Sequence, residues 1–255
     1  MSERYDCTDA AQRATGIVEA ATSLRKGDLV VMPTDTVYGL AADAFSPPAV
    51  AGLLAAKGRG RQMPPPVLVG TVRAATALVE GLNESGKDLI EEFWPGGLTL
   101  ILRANRNLIW DLGDTKGTVA VRMPLHEIAL ELLKEVGPLA VSSANRSGAP
   151  PATTAATAQE QLGDAVAVYL DGGPCLGELP STIVDLTSPV PRLVRAGVIS
   201  VERLRQVVTL AVDDDALLDQ DGAPVPADDA WPAGDAAPSA GDGAPSAGDG
   251  TAASS

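Results

Sequence analysis

The side chains able to do chemistry in this chain are mainly hydroxyls, guanidinium groups and a lysine, and they gather directly after apolar runs. PTDTVYGL (33–40) follows DLVVM and sets two threonine hydroxyls and Asp35 within eight residues. Short hydroxyls of that kind can grip a small polar ligand, although Pro and Asp also serve plain turn geometry. KGRGRQMPPP (57–66) carries Lys57, Arg59 and Arg61 at alternate positions, stiffened by three prolines. Alternate residues of an extended segment point the same way. Three cations on one side suit a polyanion, and arginine offers phosphate two parallel hydrogen bonds; a solvated basic loop is the plainer possibility. TVAVRMP (118–124) opens on Thr118 and places Arg122 after an apolar run, as a salt-bridged residue or a carboxylate receptor. SSANRSG (142–148) gathers Ser142, Ser143 and Asn145, which can cap a turn or wrap donors around an anion or a ribose. Ser181 and Thr182 begin another apolar run, and Arg195 with Gly197 closes the last.

Several chemistries are excluded. Neither GxxxxGK[ST] nor GxGxxG occurs, so this is no P-loop or dinucleotide fingerprint. The GxSxG elbow is missing, and His126 beside Leu125 suits capping or exposure better than a triad with Ser142 or Ser143. Cys175, in GGPCLGE, has no evident base. Two Cys and one His are too few for a structural zinc site, and they support no disulfide framework. No apolar run approaches the roughly 18 residues of a membrane span, and MSERYDCTDA has no secretory pattern. The expectation is a soluble, cytoplasmic protein.

The elements that must position these residues alternate in type. Thr8 or Asp9 can cap a helix in which Ile17, Val18, Ala21 and Leu24 recur at helical spacing, ending at Gly27. DLVVMP (28–33) reads as a buried strand, and Ser46-Pro47 as the start of a helix to about Lys57. Strands follow at 66–70 and 98–104 with helices over 72–82 and 85–94 between them. A strand at 118–124, a helix over 126–136 and a strand at 138–144 come next. The last elements are strands at 166–170, 181–186 and 191–197 and a short helix from Ser200. Apolar strands alternating with helices argue an α/β fold with a helix-flanked sheet. The late run of strands without helices makes that sheet mixed. Aromatics supply only 3% of residues, so Val, Leu, Ile and Ala must build the core.

Charge divides the chain. The net of −14 includes ten Asp within 209–255, where no Lys or Arg occurs; without them, 23 acidic and 19 basic residues remain on 1–208. From about Asp213 the composition collapses to Ala, Asp, Gly, Pro and Ser, and APSAGDG stands at 237–243 and again at 244–250. Such a segment has little to bury and repels itself, so 209–255 is expected to be a disordered acidic tail and 1–208 the single domain.

Taken in order, PTDTVYGL, KGR, FWPGGLTL, AVRMP, SSANRSG, STIVDL and RAG closely resemble the L-threonylcarbamoyl-AMP synthase family. The resemblance spans about residues 10–208. It implies a single YrdC-like domain with a twisted mixed sheet, and synthesis of threonylcarbamoyl-AMP and pyrophosphate from L-threonine, bicarbonate or CO2, and ATP. The product serves formation of threonylcarbamoyladenosine on tRNA, so tRNA or tRNA-modification transferases are implied partners. Two departures stand out. Gly60 replaces the proline of the family's K-x-R-P, with MPPPVL for the following N-P-L, and WPGP becomes WPGG at 94–97. The first leaves open whether Arg59 or Arg61 is the main phosphate contact.

By this resemblance Thr34, Arg122, Ser143 and Ser181 would hold threonine, with Arg122 on its carboxylate. Lys57, Arg61, Thr118, Asn145, Thr153 and Arg195 would hold ATP, with Arg59 a further candidate, and Lys57 and Arg59 would be the catalytic residues. Mg²⁺ would ride on the phosphates, since no carboxylate cage is visible. The reaction needs no covalent nucleophile. A threonine carbamate oxygen attacks the α-phosphorus as pyrophosphate leaves, and positioning with charge neutralisation does most of the work. Two alternatives remain at this point: a YrdC-like module that binds tRNA or double-stranded RNA without turnover, and a related carbamoyl-adenylate enzyme with another acceptor.

Overall fold

The structure is a computed structural model and describes residues 2–175, 177 and 179–213. All of them fall in one compact unit. The strands are β1 (Glu3–Asp6), β2 (Val30–Met32), β3 (Gly39–Asp43), β4 (Val67–Leu68), β5 (Leu98–Arg103), β6 (Thr118–Arg122), β7 (Leu139–Ser143), β8 (Val168–Asp171), β9 (Thr182–Asp185), β10 (Arg192–Arg195) and β11 (Ala211–Val212). They form one sheet ordered β1-β8-β2-β3-β7-β4-β6-β5-β9-β10-β11. Parallel pairs such as β2 with β8 adjoin antiparallel ones such as β3 with β7, so the sheet is mixed, as expected.

Alternation along β2 shows how helices come to lie on both faces. Val30 and Met32 pack with Ile17, Leu24 and Leu132 from α1 (Ala10–Lys26) and α5 (Glu127–Val136). Val31, between them, packs with Leu53 and Ala158 from α2 (Pro47–Lys57) and α6 (Ala155–Leu162). Both neighbours of a buried strand residue are therefore apolar, and the strand reads as a continuous run. A third cluster joins β5, β6 and β9 to α3 (Val72–Leu78), α4 (Glu84–Phe93) and α7 (Val201–Val207) through Leu78, Phe93, Leu100, Val121, Val184 and Leu204.

Start signals read from the sequence fall where expected. The Asp9 side chain accepts from Gln12 N at 2.8 Å and so caps α1. Ser46 holds the N-cap position of α2 without a side-chain bond, and Pro47 begins the helix. The helix expected over 72–82 is shorter, because Val79 turns extended and pairs with Ala104. Elements also appear where none was expected. PTDTVYGL does not lead into a helix; it links β2 to the antiparallel β3. The fold also passes the boundary expected at residue 208. Leu210 is buried and the amide of Ala211 donates to Pro191 O at 2.8 Å, so β11 pairs with β10. The rest of the expected tail, from Asp214, lies outside the described residues. Among the described residues no helix is long and apolar enough to cross a membrane.

Candidate active site

A cavity of about 290 Å³ opens where several strand ends converge, lined by Thr34, Arg59, Arg122, Ser143, Ser181 and Arg195 among others. Each arrives on a different segment. Thr34 stands on the link after β2, Arg122 ends β6, Ser143 ends β7, Ser181 precedes β9 and Arg195 ends β10. Arg59 is delivered by Gly58, which closes α2 in the left-handed region at φ 68° and turns the chain sharply off the helix axis. Gly197 answers a different need. A Cβ there would lie 2.3 Å from Pro180 O and 2.6 Å from the Ser181 carbonyl carbon, so only glycine lets the segment after β10 lie against the entry to β9.

No described acidic residue lines the cavity, and its three guanidinium groups are held in unlike ways. Arg122 is 6% exposed, and every nitrogen of its guanidinium makes a contact. Nε donates to Gly96 O at 3.0 Å, Nη1 to Thr36 Oγ1 at 3.0 Å and Nη2 to Asp35 Oδ1 at 2.6 Å. Burial pulls its pKa down, against the pull of Asp35. Arg195 donates from Nη2 to Ser181 O at 2.7 Å and to Ser181 Oγ at 3.1 Å, and no described carboxylate bonds to it. Burial lowers its pKa to about 10, and the like charges of Arg122 and Arg59 push in the same direction. Arg59 gives Nη1 to Ser142 Oγ at 3.3 Å, while its buried Nε has no partner among the described residues. Such a cavity is a standing positive field, fit for a polyanion.

Lys57 lies behind the wall, 1% exposed. Its Nζ donates to Asn145 O at 2.8 Å, to Asn145 Oδ1 at 3.1 Å and to the Ser143 carbonyl, tying the end of α2 to the SSAN loop. Burial first, and Arg59 second, lower its pKa to about 7. Asn145 spends its amide on Arg146 O and Ala149 O, at 3.0 and 2.6 Å, and shapes this loop from within.

Besides Lys57 and Asn145, three more of the sequence-predicted residues stand apart from the cavity lining. Arg61 is exposed and forms a two-point pair with Asp111, at 2.9 and 2.8 Å, backed by Asp114 at 3.6 Å. Thr118 donates to Thr115 O at 2.8 Å, and the carbonyl of Thr153 receives Cys175 N at 2.8 Å. Two other threonines line the wall, Thr36 and Thr99, and both are buried. Thr36 was visible in PTDTVYGL; Thr99, inside the apolar strand LTLILR, gave no signal of its own. The Thr34 hydroxyl is already engaged. It donates to Val37 O at 2.6 Å, so its lone pairs receive the Thr36 amide at 3.2 Å and the Thr36 hydroxyl at 3.1 Å.

His126 occupies the N-cap position of α5 without capping it, and burial lowers its pKa. Cys7 and Cys175 are free, and burial raises both thiols, which opposes thiolate chemistry. No group of three His, Cys, Asp or Glu able to hold a metal occurs among the described residues.

The fold and cavity define a class: a mixed α/β domain whose strand ends bring guanidinium and hydroxyl donors around an anion-sized space. The family model for Sua5/YciO/YrdC, described as telomere recombination, matches residues 22–197, and the chain belongs to this family. A Mycobacterium tuberculosis protein provisionally named as a threonylcarbamoyl-AMP synthase is 55% identical over 208 residues, covering 82% of this chain and 96% of its own. The Bacillus subtilis threonylcarbamoyl-AMP synthase is 38% identical over 212 residues, covering 82% of this chain and 61% of its own. Among solved structures, Pyrococcus abyssi Sua5 complexed with L-threonine superposes with a TM-score of 0.74 at 35% identity, over 82% of this chain and 63% of that one.

Proposed function

We propose that this chain is an L-threonylcarbamoyladenylate synthase, a nucleotidyltransferase that makes threonylcarbamoyl-AMP and pyrophosphate from L-threonine, bicarbonate or CO2, and ATP. The observation that carries the proposal is the cavity with three guanidinium groups and no described acidic lining residue, in a family whose close relatives bear that name. The threonine amine loses a proton and bonds to CO2, giving a carbamate. One carbamate oxygen then bonds to the α-phosphorus as the bond to pyrophosphate breaks. No enzyme nucleophile takes part; the residues position the partners and balance charge.

Arg122 takes the threonine carboxylate, with Ser143 and Ser181 on its other oxygens and Thr34 shaping that end of the cavity. Arg59 and Arg195 face the phosphates. Lys57 and Asn145 act from behind, through the loop they brace. Arg61 would reach ATP only by giving up Asp111, and Thr118 and Thr153 are outer candidates. Mg²⁺ would be carried by the phosphates, and the chemistry it supplies is neutralisation of their charge. Threonylcarbamoyl-AMP is an activated mixed anhydride, so a tRNA-modifying transferase is the expected recipient, and a cytoplasmic setting follows from the need for ATP.

The test is pyrophosphate release with ATP, bicarbonate and threonine, serine or valine. Threonine-dependent release is expected, with valine a poor substrate, because a site built for the hydroxyl leaves its own polar groups unpaired without it. Release without threonine would point to a different carbamoyl acceptor, and RNA binding with no release to a binding module.

A further inference from the structure

A hydroxyl has one hydrogen to give and two lone pairs to fill, so its neighbours can fix which way it points. The pair Thr99 and Ser181 is such a case. Their oxygens lie 2.8 Å apart and both side chains are buried against the cavity. Arginine can only donate, so Arg195 Nη2, at 3.1 Å, fills one lone pair of Ser181 Oγ. Thr99 is 1% exposed, and among the described residues its hydroxyl has one partner, Ser181. A buried hydroxyl hydrogen needs an acceptor. Thr99 therefore donates to Ser181 and fills the second lone pair.

We infer that Thr99 is a positioning residue that makes Ser181 an obligate donor, so that the ligand atom meeting Ser181 is an acceptor oxygen of a carboxylate, carbamate or phosphate. An ammonium or another donor is refused at that point. This rests on the proposed activity for its choice of substrate but not for its logic. It assigns a specificity role to a residue buried in β5 whose oxygen reacts with nothing.

The inference is tested by Thr99→Val, close to threonine in shape but without the hydroxyl. Released from Thr99, Ser181 regains an open lone pair and a free rotor. Binding of L-threonine or of inorganic pyrophosphate, by titration calorimetry, is expected to weaken about three- to tenfold, the worth of one oriented neutral hydrogen bond. The KM of the matching substrate should rise with kcat little changed, and Thr99→Ser should restore binding. In a Ser181→Ala background Thr99→Val should cost nothing further. A loss of the same size in that background would mean a merely structural role and overturn the inference. So would unchanged binding of both ligands by Thr99→Val. If Thr99→Val does not fold, Thr99→Ala is read in the same two backgrounds. A wild type without threonine-dependent release would sink the activity and leave this inference to be decided by pyrophosphate binding.

Discussion

The two ends of the cavity hold the same functional group under opposite conditions. At one end Arg122 is locked by Asp35, Thr36 and Gly96; at the other Arg195 rests on neutral Ser181 and faces the charge of two further arginines. A guanidinium with its own carboxylate is fixed in direction and largely neutralised, which suits the recognition of one shape. One without a carboxylate keeps its charge in reserve, which suits an incoming polyanion. The first is tied to the fold by a charged pair, whereas the second is held by neutral oxygens and crowded by like charge.

Breaking the neutralised end should give the largest effect. Arg122→Ala leaves Asp35, only 15% exposed, without its cation. Losing one partner of a buried pair costs about 3–5 kcal/mol, so a drop of roughly ten degrees in melting temperature is expected, together with lost threonine binding. Adding Asp35→Asn should recover part of the stability and none of the binding. A melting curve like the wild type's would show that the pair is dispensable.

The other end should respond with the opposite sign in stability. Arg195→Ala relieves like-charge repulsion, so its melting temperature should stay level or rise. ATP binding should weaken by about 1.5–3 kcal/mol, ten- to a hundredfold, for one charge-assisted contact. Calorimetry of ATP binding beside a melt checks both halves, and a destabilised Arg195→Ala would erase the contrast.

The proton on Lys57 reports the field behind both ends. Its pKa in the fold is about 7 against an ordinary 10.5. The folded state releases this proton first, so between about pH 7 and 10.5 the unfolded chain holds more protons and stability rises with pH; below pH 7 the whole cost of the buried charge is present. A bound triphosphate favours the ammonium, so ATP binding near pH 8 should take up a proton. Titrations in two buffers of different ionisation enthalpy detect it, and identical apparent enthalpies would contradict it.

The smallest effect is expected outside the cavity. Arg61 is 59% exposed and paired with Asp111. Exposed pairs are screened by solvent and contribute little, so Arg61→Ala should leave the melting temperature and the ATP affinity near the wild-type values. Arg59→Ala, measured in parallel, should weaken ATP binding clearly. Equal losses would place Arg61 on the nucleotide and show that its pair with Asp111 opens.

What the sequence made legible follows from how each feature is encoded. β2, β5, β6, β7 and the capped helices were readable because buried strands are continuous apolar runs and Asp9 or Ser46-Pro47 mark helix starts. β3 was not, because GLAAD is Gly- and Ala-rich and its pairing is set by neighbours far along the chain. β1, ERYD, is mostly exposed and exists through β8; α6, AATAQEQL, has an alanine-rich buried face with weak contrast. In the site, residues at strand ends announced themselves by following apolar runs, among them Arg122, Ser143 and Arg195. Their tertiary partners did not. That Asp35 would meet Arg122, Lys57 would thread behind Asn145 and Arg61 would turn outward to Asp111 depends on which strands adjoin, and spacing carries no record of that.

The strand order has a consequence in time. Glu3 pairs with Val168 and Gly39 with Ser143, while the cavity draws on segments from Thr34 to Arg195. Contacts so remote along the chain form slowly, because long loops must close before any pairing rewards them. A growing polypeptide therefore cannot complete this cavity until Arg195 has been synthesised. Competence to bind a nucleotide should appear late and abruptly, making ligand protection a marker of the last cooperative step of folding rather than of any early one.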